Sequence, residues 1–318
     1  MADDLRIDVV IATYSRCRLL GLALESLLKA SIPPDLDVNI VVADNNSTDG
    51  TRDVVRIYEA KFQGRLKYIF EPRQGKSYAL NTAIAATSGD LIGMIDDDEQ
   101  VDERWFEVVR DWFRHPEVDF IGGPYKPNWE IEPPSWIPQN FPGVIGIVDE
   151  VHEVRTFGKD YMGTLMGGNA VIRRRIFERV GPYSTLLGRT DTNLLSCEDE
   201  DMHERIRAVG AHGKYVPELI IYHHIPASRL MKSYYRKWFF WRGVSKFVMN
   251  QNRREPVPHL FGVPRYLYGR AFRESGSLTR KALVGKLQSS DIFSAELRYW
   301  DLAGWLYGRR VHSRGAGG

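Results

Sequence analysis

Two periods of apolar and polar positions alternate along the first hundred residues. Residues 6–13 (RIDVVIAT) form a short apolar run rich in β-branched side chains, the pattern of a buried strand. Residues 17–30 place Leu19, Leu20, Ala23, Leu24, Leu27 and Leu28 at helical spacing, with Pro33 and Pro34 beyond the end. A second strand follows at 37–43, then a DNNSTDGT turn whose Asp and Asn side chains bond their own backbone. The pattern predicts a helix at 51–62, a strand at 66–70, a helix at 76–87 stopped by Ser88-Gly89, and a strand at 90–95. This β-α-β-α-β-α-β alternation predicts an α/β fold with a mainly parallel, doubly wound sheet.

The periodicity breaks near residue 124. The stretch PYKPNWEIEPPSWIPQNFPGV holds six of the 16 prolines and predicts a long irregular excursion, a feature that more often carries function than structure. A sheet-like pattern returns at 164–172, a helix is expected at 199–209, a strand at 214–222, and an aromatic and basic helix from 228 to about 251. The only low-complexity stretch is the RGAGG tail.

Composition is that of a globular protein, with 43% hydrophobic and 26% charged residues over 318 positions. Two cysteines, Cys17 and Cys197, exclude a disulfide scaffold and a multi-cysteine zinc site. Cys197 beside Glu198 would have a raised thiol pKa, which disfavours a nucleophile. No apolar run approaches about 18 residues, and no basic flank precedes an apolar stretch at the N-terminus. The expectation is a cytoplasmic protein. The net charge of +2 conceals a split: residues 1–224 carry a balance of −11, residues 225–318 one of +13 together with 16 of the 37 aromatic residues. Such asymmetry points to a polyanionic partner or to attraction between the two parts.

Ligands of open α/β sheets lie outside the carboxyl ends of the strands. Three carboxylate-bearing turns fall there: Asp44; Asp96, Asp97, Asp98 and Glu99; and Glu198 to Asp201. An acidic run taken alone is most often a solvated turn. Four adjacent carboxylates after a buried strand repel one another strongly, however, and a divalent cation removes that cost. Oxygen ligands suit Mg²⁺ or Mn²⁺, which bridge to substrate phosphates. Glycine-rich dinucleotide and P-loop motifs are absent. A nucleotide would instead be held by Asp44 at the base and by Arg73 and Lys76 at the diphosphate.

IATYSR with DNNSTDGT, GKSYALNTAI, SGDLIGMIDDDE, GGNAVIRR, CEDEDMHERIRAVG and IYHHIP occur in this order. Together they resemble glycosyltransferase family 2, over about residues 6–245, and in particular bacterial transferases of exopolysaccharide and surface-glycan assembly. The resemblance implies the GT-A nucleotide-diphospho-sugar transferase fold in residues 1–225, with a nucleotide-sugar half to about 123 and an acceptor half at 124–225, followed by a basic, aromatic, helical extension at 226–318. It implies a metal-dependent inverting transfer from a nucleoside-diphosphate sugar, with UDP expected, to a hydroxyl of a glycan or lipid-linked acceptor. Thr13, Ser15, Asp44, Arg73, Lys76, Asp96, Asp97, Gly168 and Asn169 would bind the donor, with Gly167 in the same loop. Asp98, Asp96 and His223 would bind Mn²⁺ or Mg²⁺, the neighbouring His224 leaving the choice of histidine open. Asp199 would be the general base.

Trp129 and Trp136 are candidates to stack on an acceptor, with Glu198 beside the base. A processive synthase is disfavoured, because the Gln of its Q-x-x-R-W motif is missing before Arg236 and Trp238. The 228–254 stretch admits two roles: packing on the catalytic domain, or peripheral contact with an anionic membrane at the inner face of the plasma membrane. Nucleic-acid binding is disfavoured for want of a recognition module. Two other functions compete. A sugar nucleotidyltransferase would want a glycine-rich loop after the first strand, where IATYSRCR has none. A non-catalytic nucleotide-sugar-binding protein would usually have lost Asp98 or Asp199, and both are present.

Overall fold

A computed structural model describes residues 5–137, 142–147, 151–190, 193–251, 258–284 and 289–312; the RGAGG tail lies outside them. The chain forms two compact units. The first comprises Met1–Asn128, Gly146–Thr185 and Glu198–His224, the second Trp129–Ile145, Leu186–Cys197 and Ile225–Gly318. The second unit therefore takes in two internal segments as well as the C-terminal third.

The first unit opens with β1 (Leu5–Thr13), α1 (Cys17–Lys29), β2 (Leu36–Asp44), α2 (Thr51–Lys61), β3 (Leu66–Phe70), α3 (Lys76–Ala85) and β4 (Leu91–Ile95). Each lies within two residues of its expected bounds. In β1 both faces are buried: Ile7, Val9 and Ile11 join the cluster that includes Leu20, Leu24 and Trp105, while Val10 joins Ala79, Leu80 and Ile92. A strand covered by helices on both faces reads as a continuous apolar run, and that is what made it legible.

The unit continues with β5 (Glu99–Val101), α4 (Trp105–Phe113), β6 (Phe120–Gly122), β7 (Tyr125–Trp129), β8 (Arg155–Thr156), β9 (Asn169–Arg173), α5 (Arg174–Val180), α6 (Glu198–Ala208), β10 (Gly213–Tyr215) and β11 (Ile221–Ile225). The large sheet runs β3-β2-β1-β4-β9-β6-β10-β8. Strand β9 is antiparallel to both neighbours and β8 is antiparallel to β10; the other pairings are parallel.

A small sheet, β5-β11-β7, lies apart from it. Two expectations are corrected here. The strand expected at 214–222 is two strands in different sheets, because Pro217 lacks the N–H that a continuous ladder needs and a turn closes from Leu219 N–H to the Val216 carbonyl. The excursion from residue 124 begins with a strand, β7, at the edge of its sheet, where Pro127 is tolerated.

The second unit contains α7 (Lys232–Gln251), preceded by a 3-10 turn at Ala227–Leu230, a short β12 (His259–Leu260) and β13 (Val263–Pro264) pair, α8 (Arg265–Leu283) and α9 (Ser289–His312). Helices α7 and α9 meet at backbone distance. A Cβ on Gly243 would stand 2.0 Å from the Asp301 carbonyl oxygen, and one on Gly304 1.8 Å from that of Phe240. Arg242 donates two bonds to Asp301 and Arg236 two to Glu296, so these cations of α7 have acidic partners on α9. Tyr235 and Phe239 are fully buried, while Trp238, Phe240 and Trp241 are half-buried. Trp136 sits edge-on to Tyr235 and Phe293 at centroid distances of 5.4 and 5.3 Å, with the Lys232 ammonium 5.6 Å from its own ring. These contacts lie within the second unit.

Candidate active site

The carboxyl ends of β1, β2 and β4 bring their following turns together. Ser15 adopts a left-handed backbone (φ 49°) and donates its N–H to Ser47 Oγ at 2.8 Å, while its own Oγ accepts from Thr48 N–H at 3.2 Å. The β1 and β2 turns are thereby tied to each other. Asp44 ends β2 with both oxygens engaged: one accepts from Ser47 N–H at 2.9 Å and the other from the Tyr68 hydroxyl at 2.8 Å. Burial, then Asp44, pushes the Tyr68 hydroxyl up to about 12. Asn45 anchors the loop before α3, donating to the Arg73 carbonyl and accepting from Gly75 N–H. Arg73 is clamped by Glu71 through its Nε and a terminal nitrogen, at 2.8 and 2.7 Å. Its guanidinium holds the Glu71 carboxyl down at about 2.

The four acids after β4 divide by partner. Asp97 accepts from Thr13 Oγ1 at 2.8 Å and from Arg16 at 2.9 Å, and the same Arg16 nitrogen reaches Asp98 at 3.0 Å. Burial outweighs Arg16, and Asp98 and Asp96 add repulsion, so the Asp97 carboxyl rises to about 6. Lys76, the first residue of α3, stands 2.8 Å from Asp96 and 3.8 Å from Glu198. Glu99 is buried and accepts from Asp96 N–H at 2.8 Å. Burial, followed by the charges of Asp96 and Asp98, raises its carboxyl well above the usual range.

Asp96, Asp98 and Glu99 each offer an oxygen, all within 4.8 Å of one another. Around them stand six carboxylates (Asp96 to Glu99, Glu198 and Asp199) with Lys76 and Arg16 as ion-paired cations. The surplus of negative charge and the all-oxygen donor set fit a hard divalent cation. Strand alternation settles which histidine faces them. His223 is buried on β11, opposite Glu99 in the β5 register, with its Nε2 3.7 Å from Asp98 Oδ2. Its Nδ1 lies 3.1 Å from the Gly146 carbonyl, which can only accept. The tautomer with the proton on Nδ1 donates it to that carbonyl and leaves Nε2 on the side of Asp98. His224 is directed the other way and contributes its backbone N–H to the Asp98 carbonyl.

The GGN turn before β9 explains its own composition. A Cβ on Gly167 would lie 2.3 Å from Asp199 Oδ1, and one on Gly168 2.3 Å from Glu99 Oε1. Both glycines are backbone floors on which carboxylates rest. Asn169 follows with its amide fully committed: Oδ1 accepts from Trp105 Nε1 at 3.0 Å, and Nδ2 donates to the Leu219 and Pro124 carbonyls at 2.7 and 3.2 Å. It holds the turn. Gly168→Ala is expected to displace the Glu99 carboxylate and lower turnover by about 10²-fold with little change in Tm. Parallel kinetics and thermal melts check this.

Glu198 and Asp199 open α6, where the helix dipole favours negative charge. Asp199 Oδ1 is shielded from solvent and has no hydrogen-bond partner among the described residues. Burial and the neighbouring Glu198 raise its carboxyl to about 7 against the opposing pull of Lys76. Glu99 belongs to the acidic run that the sequence marks for a cation, whereas Arg16 is not singled out there. A cation at the end of β1, in register with an acidic turn at the end of the adjacent β4, is the signal that marks Arg16.

The family model for glycosyl transferase family 2 matches residues 8–181, more than half of the chain, and the chain belongs to this family. It is 26% identical over 252 residues to the glucosyl-dolichyl phosphate glucuronosyltransferase of Haloferax volcanii, covering 77% of this chain and 78% of that protein. It is 23% identical over 242 residues to the succinoglycan biosynthesis protein ExoM of Rhizobium meliloti, covering 76% and 74%. Among solved structures, a mannosyltransferase from Pyrobaculum calidifontis in complex with GDP-Man and Mn²⁺ superposes with a TM-score of 0.62 at 18% identity, over 95% of this chain and 86% of that one. The fold is the GT-A type with a C-terminal helical extension, and the protein is a glycosyltransferase related to enzymes of bacterial exopolysaccharide assembly. Among the described residues no helix is long and apolar enough to cross a membrane.

Proposed function

We propose that the protein moves a sugar from a UDP-sugar to a hydroxyl of a glycan or lipid-linked acceptor in a single inverting displacement, with Asp199 as general base. The observation that carries this reading is the shielded Oδ1 of Asp199, which has no hydrogen-bond partner among the described residues. An unpaired buried carboxylate oxygen is costly, and groups held at such a cost concentrate at functional sites. In this reading the Asp199 carboxylate takes the proton of an incoming hydroxyl, which then attacks the anomeric carbon as the nucleoside diphosphate leaves. Asp96, Asp98 and His223 would hold Mn²⁺ or Mg²⁺, with Glu99 close enough to join them. When bound, the ion neutralises charge on the departing diphosphate.

Thr13, Ser15, Asp44 and Asp97 shape the donor end in this reading, and Gly167 and Gly168 lie under the donor sugar. Lys76 serves the diphosphate by releasing Asp96 when the cation arrives. Arg73 reaches it only by giving up its clamp on Glu71. The first 123 residues form the nucleotide-sugar half and 124–225 the acceptor half. A lipid-linked acceptor is supported by the Haloferax volcanii relative, whose name specifies glucosyl-dolichyl phosphate. Contact of 228–254 with an anionic membrane would serve such an acceptor; the pairing of Arg236 and Arg242 with α9 leaves fewer cations for it, Lys237 among them.

The pH profile tests the base. A raised carboxyl is protonated below its pKa, so kcat/KM is expected to fall tenfold per pH unit below about 7 and to level above it. A profile flat down to pH 5 excludes Asp199 as the base.

A further inference from the structure

We propose that Arg16 is a built-in counter-ion of the acidic turn that weakens divalent-cation binding until the nucleotide arrives, so that it couples metal binding to donor binding. The inference rests on the metal-site reading above and goes beyond it, because it assigns a role to a residue outside the ligand set. One guanidinium nitrogen of Arg16 bridges Asp97 Oδ1 and Asp98 Oδ2 at 2.9 and 3.0 Å. It thus places a full positive charge at hydrogen-bond distance from Asp98, whose carboxylate belongs to the candidate cation site. Both carboxylates are buried, where solvent screens poorly and such a charge repels an incoming cation strongly.

The rest of the geometry says where that charge can go. The Arg16 side chain is 39% exposed, unlike the two acids it bridges at 7% and 6%. It sits at the N-cap of α1, directly after Ser15, whose hydrogen bonds with Ser47 and Thr48 hold the β1 turn at the donor end. An arginine there can exchange a carboxylate for a phosphate oxygen, since both are acceptors of the same planar fork. Asp97 retains Thr13 Oγ1 during such an exchange. In the donor-free protein Arg16 neutralises Asp98; with a diphosphate present it is drawn outward and the full charge of Asp98 becomes available to the cation.

The test is a titration of the full-length protein with Mn²⁺ at pH 8, read as loss of the free-ion EPR signal, with and without UDP. The wild type is expected to bind Mn²⁺ weakly alone and more tightly with UDP. Arg16→Gln is expected to bind Mn²⁺ alone about tenfold more tightly than wild type, with the gain from UDP correspondingly reduced. Arg16→Lys keeps the charge and should stay within about twofold of wild type for Mn²⁺ alone. Arg16→Met, which keeps the aliphatic stem, repeats the charge-free arm should the glutamine variant fold poorly.

A purely structural arginine would give charge-free variants that bind Mn²⁺ equally or more weakly, and that result overturns the proposal. So does a lysine variant as tight as the glutamine one. If the wild type binds no Mn²⁺ with or without UDP, the metal-site reading falls and the proposal with it. If the wild type binds and Asp98→Asn does not, but Arg16→Gln leaves affinity unchanged, the role of Arg16 alone is refuted.

Discussion

Replacing Asp199 with Asn is expected to reduce turnover by about 10³- to 10⁴-fold while raising Tm by about 2–5 °C. The loss follows from removing the proton acceptor while keeping the shape of the side chain. The gain has the opposite origin. Asp199 has a shielded, unpartnered oxygen and a carboxyl raised to about 7 by burial and by Glu198. Its charged form is therefore disfavoured in the folded protein. Because the folded pKa lies above the unfolded one, the folded state holds the extra proton between the two values, and stability falls as pH rises through that window. The asparagine has no charge to lose, so its advantage in Tm should be small at pH 5 and larger at pH 8. Release of nucleoside diphosphate by slow donor hydrolysis supplies the rate without a known acceptor, and melts at the two pH values supply the stability. A variant that loses both activity and stability would make Asp199 a structural residue.

Asp98→Ala is expected to lower turnover by about 10³-fold or more and to abolish any dependence of nucleotide binding on Mn²⁺. A bound cation is worth several kcal/mol to a departing diphosphate, and each 1.36 kcal/mol is a factor of about ten. Asp98 is buried with Asp96, Glu99 and His223 about it, and its loss removes one of the oxygens that the cluster offers a cation. The fold should survive, since Arg16 retains Asp97 and Asp97 retains Thr13. Turnover of wild type and variant across Mn²⁺ concentrations, with EDTA as the zero point, checks this. Equal metal dependence in the two proteins would move the cation elsewhere.

The first half of the fold was legible because its strands are buried on both faces and its helices on one, which writes two distinct periods into the chain. Helix α4 and strand β6 escaped because Trp105, Phe106, Val108, Val109 and Phe120 form one mixed apolar stretch broken by charges, which periodicity alone does not divide. Pro217 hid a change of sheet inside an apparently single strand.

At the site, the acids showed in the sequence because like charges rarely cluster beside a buried strand. What they rest on did not show. The floors under Glu99 and Asp199, supplied by Gly168 and Gly167, and the bridge made by Arg16 depend on segments 32 to 82 residues apart in sequence meeting at the site. Asn169, expected at the donor from the resemblance, has its side-chain amide bonded to Trp105, Pro124 and Leu219, contacts that the sequence did not show. Trp136 likewise is held among Tyr235 and Phe293.

Thermal melts of the full-length chain with UDP, GDP, CDP and dTDP, each with Mn²⁺, Mg²⁺ and EDTA, test the central claim most directly. A ligand that binds only the folded state raises Tm by mass action. The expected result is a rise with UDP that requires the divalent cation and disappears in Asp98→Ala. The same pattern with GDP would keep the site and change the donor. No rise with any nucleotide in the presence of either cation would contradict a metal-dependent nucleotide-sugar site at the ends of β1, β2 and β4.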